Sequence, residues 1–112
     1  MPEPLMDEQE FQLRADESLT SLYNALGKAS EGHDFEVDFG GALTVEFEEP
    51  PAKFVVSPNA PVRQIWVSAH SKSYKLDWDS SKCAFVLPGT GQSLRDLLEA
   101  AVSQQLSEEV RL

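Results

Sequence analysis

The sequence has few of the residues that form disulfides, metal cages and catalytic pairs. It contains one cysteine and two histidines, His33 and His70, among 112 residues. A single cysteine excludes an internal disulfide and any metal site that several cysteines build. The Gly-x-Ser-x-Gly, phosphate-binding glycine-loop and His-Glu-x-x-His patterns are absent as well. The sequence therefore predicts a protein that is not an enzyme and that carries no organic cofactor.

Basic residues are also scarce. Nine lysines and arginines stand against nineteen aspartates and glutamates, so the formal net charge is −10. The excess is confined to residues 1–50, which hold thirteen acids and two bases, whereas residues 51–112 hold six acids and seven bases. A negative field of this size repels nucleic acid and anionic lipid, and it attracts metal cations and basic protein surfaces. We therefore expect no nucleic-acid or membrane partner.

Long apolar runs are missing, and no stretch approaches the length that a transmembrane helix needs. The first residues are acidic and proline-rich, unlike a secretory signal or an arginine-rich transit peptide. We expect a cytosolic protein, or the processed form if the protein works in an organelle. The length suits one domain over residues 1–112, and 41% hydrophobic residues are typical of a globular chain.

Two segments have the apolar spacing of amphipathic helices. The first begins after a candidate N-cap at Asp7 and ends near Lys28, and the second begins at the capping box Ser93–Asp96. Apolar side chains recur every three or four residues and form one stripe on each helix. The stripes consist of Phe11, Ala15, Leu19, Leu22 and Leu26, and of Leu94, Leu97, Leu98, Ala101, Val102 and Leu106. We expect a flexible arm at residues 1–6 and a loose tail at residues 108–112.

Between the helices, alternating apolar and polar residues predict about six strands. Prolines 50 and 51 interrupt the chain between the second and third of these strands, and Cys83 is interpreted as a small structural residue at the start of the last. Short connections pair neighbouring strands in an antiparallel sheet, and both helices must bury their stripes on the same sheet face. The prediction is an α+β fold, a two-layer sandwich with the other sheet face open. The strands are expected at Asp34–Phe39, Ala42–Glu49, Ala52–Ser57, Pro61–Ala69, Tyr74–Trp78 and Cys83–Leu87.

The fourth predicted strand places a tryptophan among polar neighbours. Alternation sorts its residues into Arg63, Ile65, Val67 and Ala69 on one face and Gln64, Trp66 and Ser68 on the other. The first set is the core face, so Trp66 is expected on the open face, where a large aromatic residue is typical of an interaction anchor. The alternative is that a second layer covers this face and makes Trp66 part of the core.

Acidic side chains alternate along the first predicted strand. Asp34, Glu36 and Asp38 project on one side, about 7 Å apart. Two such carboxylates can share a hydrated cation, and hard oxygen ligands suit ferrous or ferric iron, calcium, manganese or magnesium. We expect weak and poorly selective binding. The alternative is an acidic face that only keeps the protein soluble.

Several segments resemble the frataxin family. They are Gln64-Ile65-Trp66-Val67-Ser68 after Pro61, Leu76-Asp77-Trp78, Asp34-Phe35-Glu36-Val37-Asp38-Phe39-Gly40 before Leu43-Thr44-Val45, and Leu97-Leu98. The resemblance covers about Glu8 to Leu106. It implies the frataxin fold, whose two helices pack on one face of an antiparallel sheet, and a bacterial frataxin homologue that works in the cytoplasm, or in the mitochondrial matrix if the chain is a processed eukaryotic form.

The resemblance also implies a function. Frataxins bind iron, Fe²⁺ or Fe³⁺, weakly through an acidic ridge, and they join a cysteine desulfurase and the scaffold protein of iron–sulfur cluster assembly. Carried over by position, the partner surface uses Gln64, Trp66 and Lys75. We expect a monomer, with metal-dependent oligomers as the alternative. The ridge corresponds to Asp16, Glu17, Asp34 and Glu36, with Glu8, Glu31 and Asp38 as further candidates.

Two other functions stay open at this point. One is an acidic protein-interaction module whose metal binding is incidental. The other is ferroxidase-type iron storage, which is less favoured because the sequence lacks the carboxylate–histidine spacing of ferritin-like sites.

Overall fold

Two helices and six strands make up most of the residues that the computed structural model describes, which are 7–48, 51–70, 72–79 and 81–112. The strands form one antiparallel sheet in which spatial order follows chain order. This confirms the predicted α+β sandwich. The elements are α1 (Glu8–Ala29), β1 (Glu36–Gly40), β2 (Ala42–Glu48), β3 (Pro51–Asn59), a 3₁₀ helix (Ala60–Val62), β4 (Gln64–Ala69), β5 (Lys72–Asp79), β6 (Ala84–Val86) and α2 (Leu94–Leu106).

Both helices begin where their side-chain caps predict. The Asp7 carboxylate accepts a hydrogen bond from the Glu10 amide at 2.8 Å, and the Ser93 hydroxyl accepts one from the Asp96 amide at 3.1 Å. Each cap satisfies an amide that has no partner within the helix. The predicted stripes are buried, except that Leu106 is only half-buried. The predicted apolar pattern is therefore confirmed. The first helix ends at Ala29, one residue later than predicted.

The helices cover a single face of the sheet. Apolar side chains of both helices form one cluster with alternate residues of the strands, including Leu43, Phe54, Ile65 and Leu76, which are all fully buried. The residues between them along each strand lie on the opposite face, which we call the outer face. The fold therefore leaves alternate side chains of each strand available for recognition.

Two strands have other bounds than predicted, since β3 begins at Pro51 instead of Ala52 and β4 begins at Gln64 instead of Pro61. β3 continues through Pro58 to Asn59 instead of ending at Ser57, and past Val56 its only neighbour is β4. A proline is tolerated on such an edge segment because no second strand needs its missing N–H. Arg63 does not lie in β4. It ends the 3₁₀ helix with φ of +54°, and its guanidinium donates to the Ala60 carbonyl.

The remaining differences concern loops. The predicted loop at residues 70–73 is shorter, because β5 begins at Lys72. Cys83 precedes β6 in a turn, with φ of +50° and an exposed side chain, so its interpretation as a strand residue is wrong. The predicted flexible arm at residues 1–6 and the predicted break at Pro50 lie outside the described residues. Neither described helix combines the length and apolar character that crossing a bilayer requires.

The C-terminal tail is attached to α2, and the prediction that it is loose is wrong. Val110 is only 1% exposed, and its amide donates to the Ser103 hydroxyl at 3.0 Å while that hydroxyl donates to the Val110 carbonyl at 3.2 Å. The Leu112 amide donates to the Glu99 carboxylate at 3.0 Å. The tail therefore runs back along α2 and adds to the core.

This packing predicts that Val110→Ala destabilises the protein by about 1–3 kcal/mol, because it removes buried methyl groups and leaves a cavity. Urea denaturation followed by circular dichroism measures the change. Arg111→Ala is the matched control, since the Arg111 side chain is 81% exposed. Equal unfolding midpoints for the two variants would mean that the tail contributes nothing to stability.

Candidate functional site

Trp66 stands on the outer face near the middle of β4. It is 37% exposed, whereas its neighbours Ile65 and Val67 are 0% and 1% exposed. In the sheet register it lies between Ser57 of β3 and Lys75 of β5. The predicted exposure is confirmed, because no described helix or loop forms a second layer over this face.

Neighbouring side chains hold the indole in place. Its Nε1–H donates to Gln64 Oε1 at 3.0 Å, and Gln64 Nε2 donates to Asp77 Oδ1 at 2.9 Å. The Lys75 ammonium lies 5.0 Å from the centre of the Trp66 ring, within cation–π range. Gln64, Trp66 and Lys75 are thus brought together as predicted. The sequence reasoning missed Asp77, which the cross-strand pairing with Gln64 would have indicated.

A shallow hollow of about 200 Å³ lies beside the ring, lined by small residues and by Tyr74. Ser57, Ser68 and Ser73 are among the residues that line it. A fixed aromatic ring next to such a hollow is the arrangement that accepts a side chain of another protein. We call Gln64, Trp66 and Lys75 with this hollow the tryptophan site.

A second feature of the outer face is a group of carboxylates on β1 and β2. Glu36 and Asp38 are exposed, and Glu36 pairs directly with Glu46, which lies on the same face. These three residues line a depression of about 370 Å³ and are called the acidic patch below. Glu46 was not among the predicted site residues. Like charges directly opposite each other on a sheet are destabilising, and Lys53 of β3, which lies opposite Glu46 on its other side, offsets part of this repulsion.

The predicted ridge is not one cluster. Asp34 is exposed in the loop before β1 rather than in the strand. Glu8 and Glu31 lie at opposite ends of a 22-residue helix, which is about 33 Å long. Within the described residues, no three side chains of His, Cys, Asp or Glu are placed to hold one metal ion.

The two helix candidates also point apart. The side chains of Asp16 and Glu17 diverge by about 100°, because that rotation separates consecutive residues of a helix. Tyr23, two turns after Asp16, packs on Phe39 of β1 with the ring centres 5.8 Å apart. Asp16 therefore lies on the β1 side of α1, whereas Glu17 lines a groove next to β6 and α2.

The titratable groups with a structural role lie elsewhere. The Ser81 hydroxyl donates to Asp79 at 2.6 Å, and this bond, helped by the Ser81 and Lys82 amides and the Lys82 charge, lowers the pKa of the Asp79 carboxyl, while burial opposes the shift. His33 contacts Glu108 at 2.9 Å, and His70 contacts Gln105 at 3.2 Å. Each histidine thus contacts the C-terminal part of the chain.

The comparisons with known proteins agree with this geometry. The frataxin-like domain family matches residues 4–108. The iron–sulfur cluster assembly protein CyaY of Pseudomonas aeruginosa is 32% identical over 93 residues, which cover 80% of this chain and 85% of that protein. CyaY of Azotobacter vinelandii is 29% identical over 100 residues, 87% of this chain and 90% of that one.

Solved structures share the fold. The frataxin of Psychromonas ingrahamii superposes with a TM-score of 0.76 at 26% identity and covers 95% of this chain and 97% of its own. The trimeric frataxin of the yeast Saccharomyces cerevisiae superposes with a TM-score of 0.71 at 23% identity, covering 96% and 85%. With the family match over nearly the whole length, these similarities show that the chain belongs to the frataxin family as a CyaY-like member.

Proposed function

We propose that the protein is an accessory protein of iron–sulfur cluster assembly that docks on the cysteine desulfurase and scaffold protein through its outer face. The relatives that carry the name of an iron–sulfur cluster assembly protein support this role. The observation that carries the proposal is the exposed Trp66, which three neighbours hold in position. Since these relatives are bacterial proteins, the cytoplasm is the proposed compartment.

In this proposal the tryptophan site is the specific contact. Its indole keeps one orientation because Gln64 accepts the ring N–H and is itself bonded to Asp77. Little side-chain entropy is lost when such a ring is covered, which favours tight binding. Lys75 beside the ring adds a positive charge for an acidic group of the partner.

The acidic patch supplies a general attraction. Glu36, Asp38 and Glu46 draw a basic surface of the desulfurase toward β1 and β2. Iron is cargo in this proposal, and two neighbouring carboxylates share a hydrated ion that keeps most of its water ligands. Such binding is weak and readily reversed, because no third protein ligand closes the site in the described part of the chain.

The second candidate function is an acidic interaction module whose iron binding is incidental. The spread of the predicted ligands around α1 and along it favours this alternative. Both candidates share the docking surface and differ only in the role of the metal.

An amide NMR titration separates them. The labelled protein receives ferrous iron without oxygen, and then purified desulfurase and scaffold protein. We expect iron to shift the amides of β1 and β2, and the partners to shift these and the β4 amides. Partner shifts without iron shifts support the second candidate. If neither addition changes the spectrum, membership of the family does not extend to this function.

Trp66→Ala should weaken partner binding by at least about 2 kcal/mol, a loss of roughly thirtyfold in affinity, while thermal stability changes little. The ring is exposed, so its removal leaves no cavity in the core. Isothermal titration calorimetry and thermal unfolding measure the two effects. Leu13→Ala on α1, which removes another exposed hydrophobic side chain, is the control. A large loss of stability would show that Trp66 supports the fold instead.

Substituting the acidic patch should reduce both attraction and metal binding. The double variant Glu36→Gln with Asp38→Asn removes two of its charges and relieves repulsion from Glu46, so we expect unchanged or higher thermal stability. Partner affinity at low salt should fall, and its dependence on salt concentration should become shallower. Asp16→Asn with Glu17→Gln removes the same charge from α1. Equal effects of the two double variants would contradict a role specific to the patch.

A further inference from the structure

A groove on the helix side of the sheet has a different character from the outer face. It lies between the middle of α1, the ends of β5 and β6, and the first turn of α2, and its volume is about 530 Å³. This volume falls in the range of small-molecule sites. Its walls include Arg14, Glu17, Trp78, Cys83, Ser93 and Arg95. We call it the arginine groove.

Two guanidinium groups line this groove without an acidic partner. Neither Arg14 nor Arg95 forms an ion pair within residues 7–48, 51–70, 72–79 and 81–112. In a chain with more than twice as many acids as bases, two such arginines in one concave site are unexpected. Glu17 lines the same groove and lies outside ion-pair distance of both.

Arg14 is held in place by packing. Its guanidinium carbon lies 5.4 Å from the centre of the Trp78 ring. Its Nε is buried and has no hydrogen-bond partner in the described residues, so the protein leaves part of its donor capacity unused. The aromatic face attracts the cation but does not neutralise it. The positive charge is thus fixed in the groove before any ligand binds.

We propose that the arginine groove binds a small organic anion that carries a carboxylate or phosphate group. The planar donor fork of arginine matches both groups. The hydroxyls of Ser18, Ser21 and Ser93, which also line the groove, add donors for the remaining oxygens. The exposed part of Trp78 offers an apolar wall for the body of the ligand. The site lies on the opposite side of the sheet from the tryptophan site, and it does not depend on the function proposed above.

The net charge of −10 works against any anion, but its reach is limited. Screening acts over about 8 Å at physiological ionic strength, so the charges that line the groove dominate inside it. The two arginines outnumber Glu17 there. We therefore expect binding that weakens as salt is raised and that responds to the charge of each of these three residues.

The test uses the isotope-labelled full chain without metal or partner proteins. Sodium phenyl phosphate and sodium benzoate, which share an apolar ring and differ in the anionic group, are added separately at constant ionic strength, with chloride as the reference. We expect saturable shifts of the Trp78 indole N–H, while the Trp66 indole N–H stays unchanged. The anion that binds more tightly identifies a phosphate or a carboxylate as the preferred group. Equal drift of both indoles, or no saturation with either anion, overturns the proposal.

Substitutions of the charged residues show whether the anion binds in the groove. Arg95→Gln should weaken binding roughly tenfold, as loss of a charge-assisted hydrogen bond does, and Glu17→Gln should strengthen it. Arg111→Gln is the matched control, because it removes one positive charge from the exposed tail. Arg14→Gln should weaken binding too, but it also removes the packing on Trp78. Arg14→Lys keeps the positive charge, so comparing the two variants separates the effect of the charge from that of the packing. If Arg95→Gln and Arg111→Gln have the same effect, the arginines act only through net charge and the site does not exist.

Discussion

The whole molecule depends on the burial of one face of the sheet. The two helices supply apolar stripes that cover only this face, so each strand has to place alternate side chains on opposite sides. Residues such as Phe54, Ile65 and Leu76 meet the requirement for a core. The positions between them are free from that requirement. They carry carboxylates on β1 and β2 and an aromatic ring on β4, and these are the groups on which the proposed docking depends.

Exposure also decides what these groups do. A carboxylate on an open strand face keeps its water, so it attracts cations and basic surfaces without binding any one of them tightly. An exposed indole loses contact with water when a partner covers it, and this loss favours binding to the surface that fits its shape. The acidic patch is therefore suited to attraction, and the tryptophan site is suited to selection. The arginine groove differs from both because its charges lie in a concavity.

Much of the fold follows from local patterns. The start of α1 depends on Asp7 and the amide three residues later, and the faces of the strands depend on alternation, so both are readable from neighbouring residues. What could not be predicted depends on contacts between distant segments. Val110 is buried because α2 offers Ser103, and His70 has a hydrogen-bond partner because α2 brings Gln105 beside it. No local pattern contains these pairs.

The candidate site also contains one part that was predicted correctly and one that was not. The family resemblance implied that Gln64, Trp66 and Lys75 lie together, and in the sheet the pairing of β4 with β5 places Lys75 opposite Trp66. The acidic ridge was predicted by position from the family resemblance, and the described residues do not bring its members into one metal-holding cluster. Asp16 and Glu17 are adjacent in the chain, yet Asp16 lies on the β1 side of α1 and Glu17 lines the groove next to β6 and α2. Glu36 and Glu46 are ten positions apart and are directly paired.

The distance between the acidic patch and the tryptophan site bears on how one partner could use both. Neighbouring strands lie about 4.8 Å apart, and Glu46 is two strands from Trp66 and about four residues farther along the sheet, while β1 is three strands away; the two sites are therefore at least about 14 Å from each other. This exceeds the screening length at physiological ionic strength, about 8 Å. The patch therefore adds little energy to the contact at Trp66 itself. A standard interface covers about 800 Å² of each partner, a patch about 30 Å across. One partner surface with a basic edge and a pocket for an indole is thus wide enough to engage both sites together.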